Sequence, residues 1–415
     1  MAIGELVRRH LVDTRPLRSP HYRRLWVGQA VSHVGLGATV LAVGQQVWDL
    51  THSSLWVGLL GLANLVPLVV FGLWGGAVAD AVDRRRLLLT GSAVAWAATL
   101  LILLQAVLGL GNVYVLLGAV ALNATGFAIT SPTRGAIIPR ILEPEVVPAA
   151  NALNSLVFSI GAVVGPMAGG VLLASGGYAA AYGMDALLFT AGLYAAMKLP
   201  ALPPLGEVTR PGARAVLDGL RFILGSPVLL MSFVVDIIAM VFALPRALFP
   251  ELAATRFDGS TVALGALTSA MAAGSVAGAL FSGWVGRVSR QGLALVAVIA
   301  VWGLSVAAAG LSRELSLVVA FMAVGGAADV VSSVWRQSIL QLYAPDEMRG
   351  RLQGVFMVVV AGGPRLGDLR AGATASAFGL TTAWVGGGLA CAVAVLVAGL
   401  CVASFRNYRA GEARA

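Results

Sequence analysis

The sequence is poor in charge and almost free of lysine. Only 11% of its 415 residues are Asp, Glu, Lys or Arg, whereas 58% are hydrophobic. Soluble domains usually carry about 25% charged residues, so this chain has too few polar side chains to cover a water-soluble fold. The shortage of charge excludes a soluble protein and indicates that lipid surrounds most of the chain.

Several kinds of chemical site also lack the residues that they need. The two cysteines, Cys391 and Cys401, stand on one apolar run, about 15 Å apart on a helix and beyond disulfide reach. The only lysine, Lys198, lies in no Gly-rich phosphate loop, and the four histidines form no cluster with metal-ligand spacing. We therefore expect no enzyme activity, no ATP-driven pump, no metal and no cofactor.

Long apolar runs dominate what remains. A helix needs about 20 apolar residues to cross the hydrocarbon layer, and twelve runs of that length occur, so the sequence predicts an all-α polytopic membrane protein with twelve transmembrane helices. The runs fall at 24–49, 54–79, 87–110, 113–138, 148–174, 178–198, 227–249, 262–286, 292–312, 315–339, 353–377 and 381–404.

The basic residues are sorted along the chain. The net charge is +9, and nearly all Arg side chains lie in the N-terminal segment, in the even-numbered connectors with their helix ends, or in the C-terminal tail. Basic loops mark the cytoplasmic side, so we predict a multi-pass protein of the cell membrane with both termini cytoplasmic. The charge thus reports contact with the lipid bilayer, and no nucleic-acid partner is expected. The exceptions are Arg246, Arg256, Arg313, Arg365 and Arg370.

The two halves of the chain resemble each other. Ser19-Pro20 and Ser226-Pro227 precede the first and seventh runs at an offset of 207, and Ser131-x-x-Arg134 matches Ser333-x-x-Arg336 at an offset of 202. This indicates two pseudo-symmetric six-helix bundles, an architecture in which transporters form sites between the repeats. The predicted division is a cytoplasmic N-terminal segment 1–23, bundles 24–198 and 226–404, a cytoplasmic linker 199–225 with an amphipathic helix, and a cytoplasmic tail 405–415.

The connector after the second run carries a motif, Gly76-Ala-Val-Ala-Asp80-Ala-Val-Asp83-Arg84-Arg85-Arg86. It resembles the loop between helices two and three of the major facilitator superfamily, which latches the cytoplasmic side in the outward-open state. Ala81 stands where that family usually has Arg. The resemblance implies a cytoplasmic gate formed by Gly76, Asp80, Asp83, Arg84, Arg85 and Arg134.

Further strings spread the resemblance over the whole chain. Trp26-Val-Gly-Gln29, Ser131-Pro-Thr-Arg134 and Pro345-Asp-Glu-Met-Arg349 look like the branch of enterobactin exporters and multidrug efflux proteins. The family fold implies a central cavity between the bundles, and the branch implies secondary export of a small molecule.

The fifth run contains closely spaced glycines. Gly161, Gly165, Pro166, Gly169 and Gly170 are similar to the antiporter signature of facilitator exporters. Glycines four apart also let two helices pack closely, so packing alone is the alternative.

Charged groups within the runs are costly in lipid and need a partner, a wet cavity or a function. Asp236 lies near the midplane of the seventh run, where a carboxylate could exchange a proton, and it is our first choice for proton coupling. Pairing with a neighbour on its helix or with Arg246 is the alternative. Arg365 and Asp368 share a face and can pair, or Arg365 can face an anionic substrate while Asp368 gates it.

Three other polar residues, Asp329, His33 and Gln29, complete the candidate cavity and coupling set. Asp329 and Arg336 share a face two turns apart, so each is expected to have another partner. His33, with Gln29 one turn earlier, suits a proton switch, although a lone histidine more often packs. Asp185 is expected to be structural.

Taken together, these residues predict a secondary transporter that exports a small molecule, a siderophore or a lipophilic drug, by alternating access with proton antiport. Small-molecule uptake by symport and a non-transporting membrane sensor or scaffold are the alternatives. The protein is expected to act as a monomer.

Overall fold

The computed structural model of the protein describes residues 13–203, 220–343 and 349–409, and these contain no β-strand. The long helix Val147–Met197 is interrupted at Gly177 (φ 66°, ψ −164°), and its two parts are α5 and α6. The helices are α1 Pro20–Thr51, α2 Ser54–Ala81, α3 Arg84–Val107, α4 Val113–Ile141, α5 147–176, α6 178–197, α7 Pro227–Ala243, α8 Phe249–Arg256, α9 Thr261–Leu280, α10 Gln291–Leu311, α11 Leu315–Tyr343, α12 Arg349–Phe378, α13 Leu380–Cys401 and α14 Ala403–Arg406.

Twelve membrane crossings account for this order. Within the described residues, ten segments are long and apolar enough to span a bilayer, and one of them holds both α5 and α6. α12 is not among these segments, since it carries Arg365, Asp368 and Arg370, but its 30 residues are long enough for the twelfth crossing. The predicted all-α polytopic fold is confirmed.

Local sequence signals set the helix ends. Pro occupies the first turn of both α1 and α7, where its missing N–H costs nothing. Asn112 and Ser260 accept hydrogen bonds from backbone N–H groups in the first turns of α4 and α9. The same Ser-Pro signal therefore begins both halves of the chain.

The sequence predicts one continuous helix over the seventh apolar run, but in the structure this run is broken. α7 ends at Ala243, Leu244 is extended (φ −91°, ψ 109°), and a 3₁₀ turn at Arg246–Leu248 leads into α8. Pro245 explains the break, because proline disfavours helical geometry at the residue before it and cannot donate a backbone hydrogen bond.

The long helices form two groups of six, α1–α6 in the N-terminal half and α7 with α9–α13 in the C-terminal half. α1 packs on the Val147–Met197 helix and α3 on α4 in the N-terminal group, whereas α10 packs on α13 and α9 on α11 in the C-terminal group. Between the groups, the main contacts are α2 with α12 and α5 with α9.

Short connectors place the loops at two ends of the molecule. We call the end that holds loop 82–83, residues 199–203 and α14 the linker end, and the other the opposite end. At the linker end, Arg84 N–H donates to the Leu202 carbonyl (3.0 Å). The predicted inter-bundle helix lies partly outside the described residues, which resume at 220 with a helical segment to 225 that buries Ile223. The predicted domain boundaries remain predictions.

Candidate functional site

The contacts between the two bundles that the structure describes lie in the half of the molecule nearer the opposite end. Hydroxyl groups of α9 donate to carbonyls of α5, Thr261 Oγ1 to Gly170 (2.9 Å) and Ser269 Oγ to Val163 (2.7 Å). Ser54 at the start of α2 donates to the Glu251 carboxylate on α8. These bonds hold the opposite end closed.

Two glycines bring α2 against α12. A Cβ at Gly58 would lie 2.6 Å from the Asp368 carbonyl oxygen, and a Cβ at Gly61 would lie 2.6 Å from that of Arg365. Real Cβ atoms do not approach so closely, so only glycine permits this spacing. The two glycines thereby fix where the charged residues of α12 enter the bundle interface.

A cavity of about 150 Å³ lies between the bundles at this level. Most of its wall is aliphatic or aromatic, with a few polar side chains, as is usual for small-molecule sites. Its lining residues are Leu36, Thr39, Val40, Leu41, Val43, Gly44, Val57, Leu60, Gly61, Asn64, Ile102, Val120, Asn123, Arg246, Ala247, Phe249, Pro250, Leu264, Thr268, Arg365 and Asp368.

Three ionisable side chains line the cavity. Arg246 Nη2 donates to Asp368 Oδ2 across 3.1 Å, and their side chains are 37% and 11% exposed. Asp368 thus pairs with Arg246 in the C-terminal bundle and not with Arg365, its expected partner on the same helix. Arg365 forms no ion pair within the described part of the chain, and its Nε is buried without a hydrogen-bond partner.

Sequence reasoning considered Arg246 only as a partner for Asp236 and not as a cavity residue, because a continuous helix over 227–249 would place it near the end of that helix. The break at Pro245 instead turns the 3₁₀ segment inward. Pro245 was the feature of the sequence that could have revealed this break.

Arg370, two residues after Asp368 on α12, has a structural role at the same break. Its guanidinium donates to the carbonyl oxygens of Val241 (3.0 Å) and Phe242, and to that of Ala383 (3.4 Å). The first two carbonyls lie in the last turn of α7, where no later residue of the helix can bond them. Arg370 therefore caps the broken helix.

A second charged cluster lies between α7 and α11. Arg336 Nη1 pairs with Asp236 Oδ1, and Arg336 Nη2 lies 3.6 Å from Asp329 Oδ1. Asp236 is thus in an ion pair, as in the alternative to proton coupling, but its partner is Arg336 on α11 and not Arg246 or a residue of its own helix. Arg336 and Asp329 also pair with each other, since the long guanidinium side chain spans the two turns between them.

Exposure differs sharply within this cluster. The side chains of Asp236 and Arg336 are 3% and 6% exposed, whereas that of Asp329 is 34% exposed. Asp329 is therefore the carboxylate that water can reach.

His33 and Gln29 occupy the corresponding place in the N-terminal bundle. The offset of 207 that relates α1 to α7 carries Gln29 onto Asp236. His33 Nδ1 donates to the Gln29 carbonyl (2.9 Å), and its ring meets Phe158 edge-on at 5.9 Å. The Arg134 charge is close enough to act on His33 electrostatically. These contacts fit the packing role that was the alternative for His33.

The glycine-rich part of α5 faces two partners. Added Cβ atoms at Gly161, Gly165 and Gly169 would collide with α1, whereas one at Gly170 would collide with α9. Pro166 contributes to the same interface, since its carbonyl lies 2.8 Å from a Cβ added at Gly265 on α9. The motif therefore packs helices within and between the bundles, and its antiporter role stays a prediction.

The predicted gate is only partly visible. Gly76 and Asp80 belong to a stretch of α2 whose side-chain environment lies outside what the structure describes. Asp83 caps α3 and accepts from the Leu202 N–H (2.9 Å). Arg84 and Arg85 donate to the carbonyls of Ala136 and Met197, so these residues bind helix ends of their own bundle, and Arg134 lies apart on α4 with its Nε buried. Their role as a gate stays a prediction.

Asp185 on α6 is fully buried behind the cavity. Its Oδ2 accepts from Thr99 on α3 (3.4 Å), and Gly35 on α1 leaves room for its carboxyl group. Asp185 thus joins three helices of one bundle, as a structural residue would.

Comparison with known proteins identifies the family. Residues 13–414 match the family model described as transmembrane secretion effector. The enterobactin exporter of Shigella boydii serotype 18 is 31% identical over 380 residues, which cover 87% of this chain and 89% of that protein. The enterobactin exporter of Escherichia coli O139:H28 is 30% identical over the same shares.

Solved structures agree on the fold. The nucleoside transporter NupG superposes with a TM-score of 0.73 at 15% identity, covering 94% of this chain and 99% of that one. A D-xylose-proton symporter gives 0.70 at 12% identity, covering 94% and 99%. A bacterial homologue of the human lysosomal transporter Spinster, in an inward-facing and unoccupied conformation, gives 0.70 at 18% identity, covering 95% and 97%. The chain belongs to the transmembrane secretion effector family of the major facilitator superfamily.

Proposed function

We propose that this protein exports a small molecule across the cytoplasmic membrane by alternating access, coupled to proton entry. The observation that carries the proposal is the cavity between the bundles, closed at the opposite end by contacts of α2 with α12 and of α5 with α9. A site between two repeats that touch at one end is the arrangement expected when one bundle rocks against the other.

The orientation follows from charge. The linker end carries the Arg-rich connectors, and such loops remain on the cytoplasmic side. With both termini in the cytoplasm, the described conformation is closed to the outside and is the one that loads substrate for export. The similarity to exporters of enterobactin supports a siderophore or another lipophilic compound as substrate.

Proton coupling is assigned to the cluster of Asp236, Arg336 and Asp329. Two carboxylates and one guanidinium carry one negative charge when all are ionised, and one proton makes the cluster neutral. Asp329 is the exposed member, so a proton enters there and leaves Arg336 to pair with Asp236 alone. A change of partner within a buried ion pair alters how α7 and α11 are held together, and so biases the two conformations.

The test uses everted membrane vesicles from cells that express the protein. Respiration acidifies the vesicle interior, and radiolabelled enterobactin is added outside. Export predicts that the compound accumulates inside, and that an uncoupler, which dissipates the proton gradient, removes the accumulation. Vesicles from cells without the protein are the control.

Each other outcome contradicts a defined part of the proposal. Accumulation that is insensitive to the uncoupler would remove proton coupling. Accumulation only in right-side-out vesicles would make the protein an uptake system. Saturable binding without accumulation would favour a sensor or scaffold.

A further inference from the structure

The charge of the cavity selects its ligand. Among its lining residues the ionisable ones are Arg246, Arg365 and Asp368, so the wall carries two positive charges and one negative charge. Asp368 is already bonded to Arg246 through Oδ2. Arg365 is left with no ion pair within the described residues, although its Nε is buried.

An unpaired guanidinium in a mostly apolar wall is costly unless something neutralises it. The backbone of Arg365 is fixed at the interface, because its carbonyl oxygen is seated against Gly61 of α2, and the side chain starts from there with its Nε buried. Asp368 does not serve as its counter-ion within ion-pair distance, since it is held by Arg246. Asp368 acts on Arg365 only at longer range, and no other described carboxylate lies within ion-pair distance of it. An anionic ligand in the cavity would supply the missing counter-charge.

We propose that the cavity binds one ring of an organic anion with an apolar body, and that a carboxylate or phenolate group on that ring meets Arg365. This deepens the proposed function and rests on it, since it names the substrate class of the same cavity. Charge-assisted hydrogen bonds to guanidinium are strong and, in two-pronged form, selective for such groups. A cationic ligand would instead add to the positive charge of the wall.

The rest of the wall defines the body of the ligand. Leu36, Val40, Leu60, Ile102 and Phe249 offer apolar surface from both bundles. In other proteins an apolar cavity of this volume holds about one aromatic ring. The ligand's ring or alkyl part therefore lies against these residues while its anionic group points to α12.

The experiment compares three probes that share one ring and differ in charge. They are 4-fluorobenzoate, 4-fluorobenzamide and 4-fluorobenzylammonium, titrated by ¹⁹F NMR against the full-length protein in phosphatidylcholine nanodiscs. The benzoate should bind about tenfold more tightly than the amide, and the ammonium no more tightly than the amide.

Variants assign the preference to its residue. Arg365→Gln should abolish the preference for benzoate. Arg365→Lys keeps the positive charge but loses the pair of parallel N–H donors of the guanidinium, so it should retain part of the preference. Arg313→Gln is the matched control, because Arg313 is exposed in a loop at the opposite end and should leave the preference unchanged. If Arg365→Gln fails to fold, the lysine variant still tests the assignment.

The inference is overturned if benzoate does not bind, if all three probes bind equally, or if the preference survives in Arg365→Gln. These measurements need no gradient and so separate the two proposals. Gradient-driven export with no charge preference would refute the anion site alone. An Arg365-dependent preference for benzoate in a protein that does not transport would refute the proposed function alone.

Discussion

Side chains added at the α2–α12 contact should open the end of the molecule that the structure shows closed. At Gly58 and Gly61 a Cβ would lie 2.6 Å from a backbone oxygen of α12. Ordinary contacts begin at 3.4 Å, so α12 would have to move by about 0.8 Å for the first carbon alone. The double substitution of both glycines by Val therefore forces the helices apart.

The energetic cost of the two added side chains can be converted into a shift of the equilibrium between the two conformations. Overpacking costs about 1–3 kcal/mol per site, and 1.4 kcal/mol changes an equilibrium about tenfold. The overpacking destabilises only the conformation in which α2 touches α12, and not the alternative conformation in which these helices are separated. The double variant should therefore increase the ratio of the alternative conformation to the described one by about tenfold or more.

Electron paramagnetic resonance distances provide the assay. Spin labels at Leu110 and Glu314 report the opposite end of the two bundles, in a background where Cys391 and Cys401 are replaced by Ala. Both labelled residues are exposed. The double variant should lengthen the distance between them.

The matched control is Gly118→Val on α4, where an added Cβ meets nothing within 4 Å. Its distance distribution should equal that of the parent. Unchanged distances in a folded double variant would refute the claim that these glycines hold the opposite end closed.

Two further predictions concern the buried charges. Asp236→Asn should abolish the response of export to the proton gradient, because Arg336 would then keep a single ionised partner. Asp185→Asn is the control variant, and its export should still respond to the gradient. If the Asp236 variant responds fully in the vesicle assay, Asp236 has no role in proton coupling. Arg370→Met should lower the unfolding temperature in detergent, because each α7 carbonyl left unpaired costs about 1–3 kcal/mol. Arg365→Met on the same helix should leave that temperature unchanged or raise it, and equal losses in both would contradict the capping role of Arg370.

The membrane fold could be predicted from the sequence because lipid imposes a simple rule. A chain must supply about 20 apolar residues for each crossing, and the run boundaries agree with the helix ends within a few residues at most places. The largest differences are at the ends of the seventh and eighth runs, which extend six residues beyond Ala243 and Leu280. In the seventh run the sequence stays hydrophobic past Pro245 although the helix does not continue. A count of apolar residues does not detect the helix break at Pro245, because the residues that follow it are also apolar.

The charged residues were found, but their partners were not. Arg365 and Asp368 are neighbours on one helix, yet the break after α7 supplies Asp368 with Arg246 from the same bundle. Arg336 likewise reaches Asp236 on a helix about 100 residues earlier. Such pairings depend on how helices are rotated and packed, which the spacing within a single helix does not determine.

The most direct measurement of alternating access follows both ends of the molecule at once. Spin labels at Val82 and Ser289, both exposed, report the linker end, and those at Leu110 and Glu314 report the opposite end. Proton entry requires the protonated protein to return to the conformation that is closed at the opposite end. When the pH is raised in nanodiscs, the distance at the opposite end should therefore lengthen while that at the linker end shortens. Distances that stay fixed at both ends, or that change together in the same direction, would contradict two bundles rocking about a central cavity.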